Sequence, residues 1–313
     1  MISNRVLNNK IKSMVNKTIF VALLLSLFMS SLEAQNVSLE KDFKNPPPDA
    51  KPQTIWFWIN GNVTKKGITA DLEAMKNVGI QGAILFNVSL GNPEGVAPYL
   101  SPEWLELFKY AGLEAQRLGL DLGFHNGAGW SSSGGPSITP EYAMQELVYT
   151  ETIHQGATVF KGKLEQPETK LGFYKDIAIL AFPKPKSNVR IDELEIKILS
   201  HKVRSHLNPD DKPITDLAVV KKQDIIDLTS KLNSDGFLEW NAPEGDWVIL
   251  RIGHTPTGEM NRFSSDGGRG LECDKMSKQA VDVFWDGSIK PILKKLDTLV
   301  GTTVKRCHID SYE

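Results

Sequence analysis

Residues 55–88, IWFWINGNVTKKGITADLEAMKNVGIQGAILFNV, hold a strand, a loop, a helix and a second strand. Ile55-Trp56-Phe57-Trp58-Ile59 is a short apolar run closed by Asn60-Gly61-Asn62. Thr64 is placed to cap a helix in which Ile68, Leu72 and Met75 recur at helical spacing, and Gly79 supplies a stop. Ile80 to Val88 reads as the next strand. The unit then repeats. After a Gly/Pro loop, Ser101-Pro102 starts a helix with Trp104, Phe108, Ala111, Ala115 and Leu118 along one face, Gly119 ends it, and Leu120 to His125 makes a third strand. Strands alternating with amphipathic helices predict parallel βαβ units, because parallel strands need a crossover connection. A barrel and an open doubly wound sheet both satisfy the pattern. Asn60-Gly61-Asn62-Val63 offers one glycine where a dinucleotide fold wants three, which favours the barrel.

Beyond the third strand, His125 to Pro140 is a polar Gly/Ser-rich loop, and the helical period then gives way to two-residue alternation. Leu147 to Ile153, Asp176 to Phe182, Ile191 to Leu199, Phe237 to Trp240 and Trp247 to Ile252 read as strands of an inserted domain. Helix returns with Ser277 as cap and Ala280, Val281, Phe284, Trp285, Ile289, Leu293 and Leu296 as its buried side. Val304, Cys307 and Ile309 read as a buried strand leading into Asp310-Ser311-Tyr312-Glu313. The expected architecture is α/β, the N-terminal half of a (β/α)8 TIM-type barrel. Residues 53–143 form its first three βα units, 144–260 an inserted β-rich domain, and 261–313 a loop, a helix and the fourth barrel strand. A complete barrel needs eight strands. The chain is therefore expected to stop part-way through one, leaving unpaired edges.

The N-terminus is read separately. Arg5, Lys10, Lys12 and Lys17 precede an apolar stretch, Ile19 to Met29, and Ser31-Leu32-Glu33-Ala34 offers small residues for cleavage. Residues 1–34 are expected to be a secretory signal peptide. The apolar stretch is well short of the roughly 20 residues that span a bilayer, so a cleaved leader is favoured over an uncleaved membrane anchor, and no membrane partner is expected after cleavage. Residues 35–52 form a Pro-rich linker carrying Pro46-Pro47-Pro48 and Pro52, which favours extended backbone. The 313 residues are 41% hydrophobic and 24% charged, ordinary for globular domains, with a formal net charge of −2 that becomes more negative once the leader is removed. Such a mildly acidic, exported chain lacks the basic footprint of a nucleic-acid binder. Its two cysteines, Cys273 and Cys307, either pair in an oxidising compartment or remain separate buried thiols.

Parallel strands deliver their polar tips to one rim. Trp58 and Asn60 end the first strand, Asn87 the second, and His125, Asn126, Trp130 and Ser131 follow from the third. Asp310 and Glu313 end the fourth. Aromatic faces stack on sugar rings, while amide, imidazole and carboxylate groups bond their hydroxyls, so this set suits a carbohydrate site. Trp56 and Trp58 share a strand face and are equally readable as core. Hydrolysis of a glycosidic bond needs one carboxyl group to protonate the leaving oxygen and another to activate water or attack the sugar. Glu313 is the candidate acid, against the alternative of a solvated carboxylate at a chain end. Asp310 is its orienting or metal-binding partner, or else a strand-end cap. Gly267 to Lys275 carries Glu272, Asp274 and Lys275, as further binding residues or as a salt-bridged connection into the following helix.

Five separated motifs, taken together, resemble glycoside hydrolase family 106, the α-L-rhamnosidases. They are Trp58-Ile-Asn-Gly-Asn-Val-Thr64, Gly67-Ile-Thr-Ala-Asp-Leu-Glu-Ala-Met75, the run His125 to Pro136, Gly270-Leu-Glu-Cys-Asp-Lys275 and Asp310-Ser-Tyr-Glu313. The similarity extends from about Asn45 to Glu313. It implies an inverting enzyme that removes terminal α-linked L-rhamnose from oligo- or polysaccharides, on a catalytic barrel with additional β domains. It also implies calcium at the sugar site, on ligands that cannot be assigned to individual residues, and no organic cofactor. Family members are longer, and the second carboxylate is expected from a later strand, so the chain alone is expected to be inactive. A secreted, periplasmic location follows from the leader. A non-catalytic sugar-binding protein derived from the enzyme, or a different barrel glycosidase, remains the alternative.

Overall fold

The computed structural model of the chain describes residues 39–185 and 219–310. The expected leader, the expected strand Ile191–Leu199 and the terminal Ser311-Tyr312-Glu313 lie outside the described residues. A short exposed helix, α1 (Leu39–Lys44), and a single 3-10 turn at Pro48–Ala50 occupy the stretch read as extended linker; neither buries a residue.

The first half follows the sequence closely. Strand β1 (Gln53–Ile59) leads to helix α2 (Lys65–Asn77), strand β2 (Gly82–Val88), helix α3 (Pro102–Leu118) and strand β3 (Asp121–Ala128). Thr64 caps α2 by accepting the Gly67 N–H at 3.1 Å, and Ser101 caps α3 by accepting the Trp104 N–H at 3.1 Å. Gly119 closes α3 in the left-handed conformation, φ 67°. β1 and β2 run parallel in register from Gln53↔Gly82 to Ile59↔Val88. Alternation sends Trp56 and Trp58 toward the helices and Ile55 and Phe57 to the other face. On the helix side the Trp58 ring meets Trp104 and Phe108 edge-on at 5.8 and 6.2 Å. Ile68, Leu72, Trp104 and Phe108 are all buried there, each worth roughly 1.5–3 kcal/mol or more on area grounds.

The middle of the chain is antiparallel. Strands β4 (Gln145–Gln155), β5 (Val159–Lys163), β6 (Lys175–Pro183), β7 (Ile226–Asp227), β8 (Phe237–Asn241) and β9 (Asp246–Pro256) form a four-stranded sheet, ordered β4-β9-β6-β7, and a two-stranded ribbon, β5-β8. A second core of Leu164, Ile179, Ala181, Leu228, Leu238, Trp240, Trp247 and Ile249 lies between them. β4 alternates as expected, yet its more apolar face is the open one: Leu147, Tyr149 and Ile153 are exposed. Thr150 and Thr152 sit on the half-buried side.

Helix α4 (Lys278–Phe284), capped by Ser277, runs through a π turn (Trp285–Ile289) into α5 (Lys290–Leu296), followed by strand β10 (Val304–His308). The buried side differs in part from the expected one. Val281 and Trp285 are exposed, while Ser288 and Ile292 are buried. From Trp285 onward, an i→i+5 turn and Pro291, which has no N–H to donate, shift the phase by which residues face inward. Among the described strands β10 pairs with β3 alone, giving the parallel order β1-β2-β3-β10. At that edge Val304 is buried but Cys307 and Ile309 are exposed, against expectation, because nothing among the described residues covers them. Both cysteines are free; burial pushes the Cys273 thiol up to about 11.

Candidate functional site

Four parallel strands bring one row of side chains into line on the face away from the helices. Phe57 opposes Phe86, and His308 opposes His125. The Phe86 and His125 rings stack at 4.6 Å and 20°, and the His125 and His308 rings lie 5.9 Å apart. Trp130, just past β3, meets Phe57 at 5.6 Å and Phe86 at 5.9 Å.

His125 is fully buried, and its Nδ1 lies 2.9 Å from the Gly127 carbonyl. The shorter of its two contacts to Gly127 puts the proton on Nδ1 and makes Nε2 the acceptor of the neutral ring; the Gly127 N–H lies 3.4 Å from the same Nδ1. Nε2 finds no partner among the described residues. Burial pulls the imidazole below its ordinary pKa; the Gly127 carbonyl and the Asp310 charge oppose that shift, and His308 adds to it. A neutral imidazole with one open acceptor is suited to a sugar hydroxyl or another O–H donor.

Next to it lies a second set. Asn126 donates from Nδ2 to the Ser132 carbonyl, while its Oδ1 is buried without a partner among the described residues. Glu272, 1% exposed, accepts from Lys275 Nζ at 2.6 Å through Oε2, with Ser133 Oγ at 3.4 Å; its Oε1 is unpartnered. The Gly/Ser-rich loop packs against residues 261–272. A Cβ on Gly129, φ 84°, would stand 2.1 Å from the Arg262 carbonyl oxygen, so glycine is required for that approach.

The alpha-L-rhamnosidase profile, glycoside hydrolase family 106, matches residues 44–192 and 184–313. The chain belongs to that family. It is 59% identical over 301 residues to a Formosa agariphila protein named "Putative beta-glucuronidase", a match covering 94% of this chain and 26% of that protein. It also resembles the solved structure of a rhamnosidase from Novosphingobium sp. PP1Y, with a TM-score of 0.74 and 24% identity over 87% of this chain and 39% of that one. This second likeness concerns the fold alone. The chain thus spans about a quarter of the first relative and two fifths of the second.

Within this family member the candidate residues divide. His125, Asn126, Trp130, Glu272 and Lys275 belong to the two neighbouring sets just described. Ser131 is buried and accepts the Arg262 N–H at 3.2 Å. Trp58 is 3% exposed and packs in the helix-side core, with its indole Nε1 unpartnered among the described residues. Asn60 is consumed by structure: it donates to the Asn92 carbonyl and to Asp266 Oδ2, and accepts the Asp266 N–H at 2.8 Å. Asn87 accepts the Trp104 indole N–H at 2.8 Å within the core. Asp274 accepts the Met276 N–H, a turn before α4. Asp310 is exposed just past β10, and Glu313 lies outside the described residues. The sequence reading missed His308 and Phe86, whose only signal was their register opposite His125 and Phe57.

Proposed function

We propose that the chain is the N-terminal part of a glycoside hydrolase that removes terminal α-L-rhamnose with inversion. The parallel sheet is taken as half of a TIM-type barrel completed by strands further along the polypeptide. The observation that carries this reading is the row Phe57, Phe86, His125, His308 beside Trp130, aromatic and imidazole rings of which Phe86 and His125 are buried, with His125 Nε2 left without a partner among the described residues. In this scheme the Trp130 and Phe57 faces receive the sugar ring, and His125 Nε2 accepts one hydroxyl. Glu313 protonates the leaving oxygen, and a carboxylate from a later strand activates water on the opposite face. The two carboxyl groups would stand about 6.5–9.5 Å apart, leaving room for that water.

Calcium at this site rests on the family resemblance. Asn126 Oδ1 and Glu272 Oε1 are unpartnered hard oxygens, but calcium takes about six to eight such ligands. No group of three or more His, Cys, Asp or Glu among the described residues could hold a metal. The described residues therefore do not amount to a calcium site, and no step above is routed through an ion. Export through a cleaved leader at 1–34, a periplasmic location and a rhamnose-containing polysaccharide as partner belong to the same proposal.

A glucuronide is the second reading, favoured by the name of the Formosa relative. The two are separated by assaying 4-nitrophenyl α-L-rhamnoside and β-D-glucuronide with the protein extended to the length of its relatives. The expected result is turnover of the rhamnoside with an inverted anomeric product by NMR, abolished in Glu313→Gln. The chain of 313 residues alone is expected to bind without turnover. Hydrolysis of the glucuronide alone, or full activity in Glu313→Gln, would overturn the proposal.

A further inference from the structure

We propose that the cavity beside Phe263 is a second sugar subsite, for the uncharged pyranose unit adjoining the one held at the strand tips; this rests on the glycosidase reading above. The cavity measures about 550 Å³, and its lining includes Ser89, Glu259, Arg262, Phe263, Asp266 and Arg269. That size is in the range of small-molecule sites.

Phe263 is the first reason. The residue is 56% exposed and its backbone is left-handed, φ 55°. For a bulky residue such a conformation costs about 1–3 kcal/mol and persists only where the surroundings enforce it. Here they do. The Arg262 N–H donates to Ser131 Oγ, the Arg262 carbonyl accepts from Trp130 at 3.0 Å, and the Phe263 carbonyl accepts from Ser89 at 2.9 Å. Asp266 N–H is held by Asn60, and the buried Asn261 side chain ties the loop together by bonding Gly268 and Gly270. A rigid frame thus presents an apolar ring to water, with Trp130 edge-on at 6.5 Å.

The charge pattern gives the ligand class. Arg262 and Arg269 face Glu259 and Asp266 around the cavity, a balanced set. The Arg262–Glu259 pair is loose at 4.0 Å, and the Arg269 guanidinium makes no hydrogen bond or ion pair among the described residues. Carboxylates that accept from hydroxyls, guanidinium groups that donate to them, and a phenyl face for ring C–H atoms together suit an uncharged polyhydroxylated ring. A phosphate or sulfate would meet two carboxylates. Continuity supplies the position, since Phe263, Trp130, Phe86 and His125 form one chain of ring contacts at 6.5, 5.9 and 4.6 Å.

Calorimetric titration of the full chain tests this with methyl α-L-rhamnoside, rutinose (an α-L-rhamnosyl-glucose) and methyl β-D-glucoside. Rutinose should bind roughly tenfold tighter than the methyl rhamnoside, the size expected of one aromatic face and one charged hydrogen bond. Phe263→Ala and Arg269→Ala should each erase most of that gain. Phe263→Gly should erase it too while raising Tm, because glycine tolerates φ 55°, and this separates lost binding from lost folding. The proposal is overturned if rutinose has no advantage, or if the Phe263 variants keep it. If the methyl rhamnoside fails to bind but the methyl glucoside binds in a Phe263-dependent way, the subsite stands and the rhamnoside reading falls.

Discussion

The parallel sheet and the antiparallel sheet treat buried polar groups in opposite ways. In the antiparallel layer, Arg251, whose side chain is 6% exposed, donates from Nε and Nη2 to the two oxygens of Asp176 and from Nη1 to the Leu164 carbonyl. Burial raises the Asp176 pKa, but the hydrogen bonds from Arg251 and Tyr174 and the guanidinium charge outweigh it and hold the carboxyl below its usual value. On the side of the parallel sheet, His125 Nε2, Asn126 Oδ1 and, from the loop before α4, Glu272 Oε1 are buried and unpartnered among the described residues, as are Trp58 Nε1 and Tyr99 Oη in the helix-side core. Buried polar atoms are normally satisfied, so a concentration of exceptions needs a cause. One layer uses polarity to fasten itself together. The other commits Asn60 and Asn87 to partners and leaves further polar atoms open among the described residues.

The comparison can be broken at several points. The largest effect is expected for Trp104→Ala, which empties the helix-side core and strips Asn87 Oδ1 of its donor; it should cost about 3–5 kcal/mol in denaturant unfolding. A value under about 1 kcal/mol would mean that the aromatic cluster does not support the parallel layer. Arg251→Ala comes next, at about 3 kcal/mol, the lower end for a broken buried pair because Asp176 is one-third open to water. The Asp176 contribution should be complete above about pH 4 and fade as pH falls through the lowered folded-state value.

His125→Phe should stay within about 1 kcal/mol of wild type, since it removes an open acceptor along with one hydrogen bond and keeps the stack on Phe86. Methyl α-L-rhamnoside binding should nonetheless be lost. If His125→Phe costs as much as Arg251→Ala, the two layers do not differ as described. The smallest effect is a titration. By NMR the His125 ring should protonate below 6.5, because its folded-state pKa is depressed. The stability it contributes is then present above about pH 6.5 and lost as pH falls toward the folded value, and His125→Phe should flatten that slope. A midpoint above 6.5 would place a charge at this position and contradict the open acceptor.

Much of the fold was legible because its signals are local. Thr64, Ser101 and Ser277 cap the helices expected of them, and Gly119 ends its helix in the left-handed region. Val281 lies ahead of the π turn and shares the open face with Trp285 one turn on, so which side of α4 packs inward decided its exposure; the π turn acts only from Trp285 onward. Cys307 and Ile309 look like core residues in any window of sequence. They are exposed because β10 has a neighbour on one side alone among the described strands.

The site was half legible. His125, Asn126 and Trp130 announced themselves as polar and aromatic residues at the end of a strand, but Asn60 and Asn87 carry the same signal and are committed to Asp266 and Trp104. Residue type could not separate the two outcomes, because which amides are left open depends on partners 17 to 206 positions away. His308 and Phe86 had no local mark.

By itself the sequence determined the capped helices, the alternating strands and the order in which βαβ units give way to antiparallel pairing, since each follows from the conformational preferences of neighbouring residues. Only the tertiary structure decided that Phe57, Phe86, His125 and His308 form one row, that Trp58 is core and Phe263 is not, and which polar atoms remain unsatisfied. Register across strands and hydrogen bonds over long separations set those facts, because burial and partnership belong to the packed chain and to no single stretch of it.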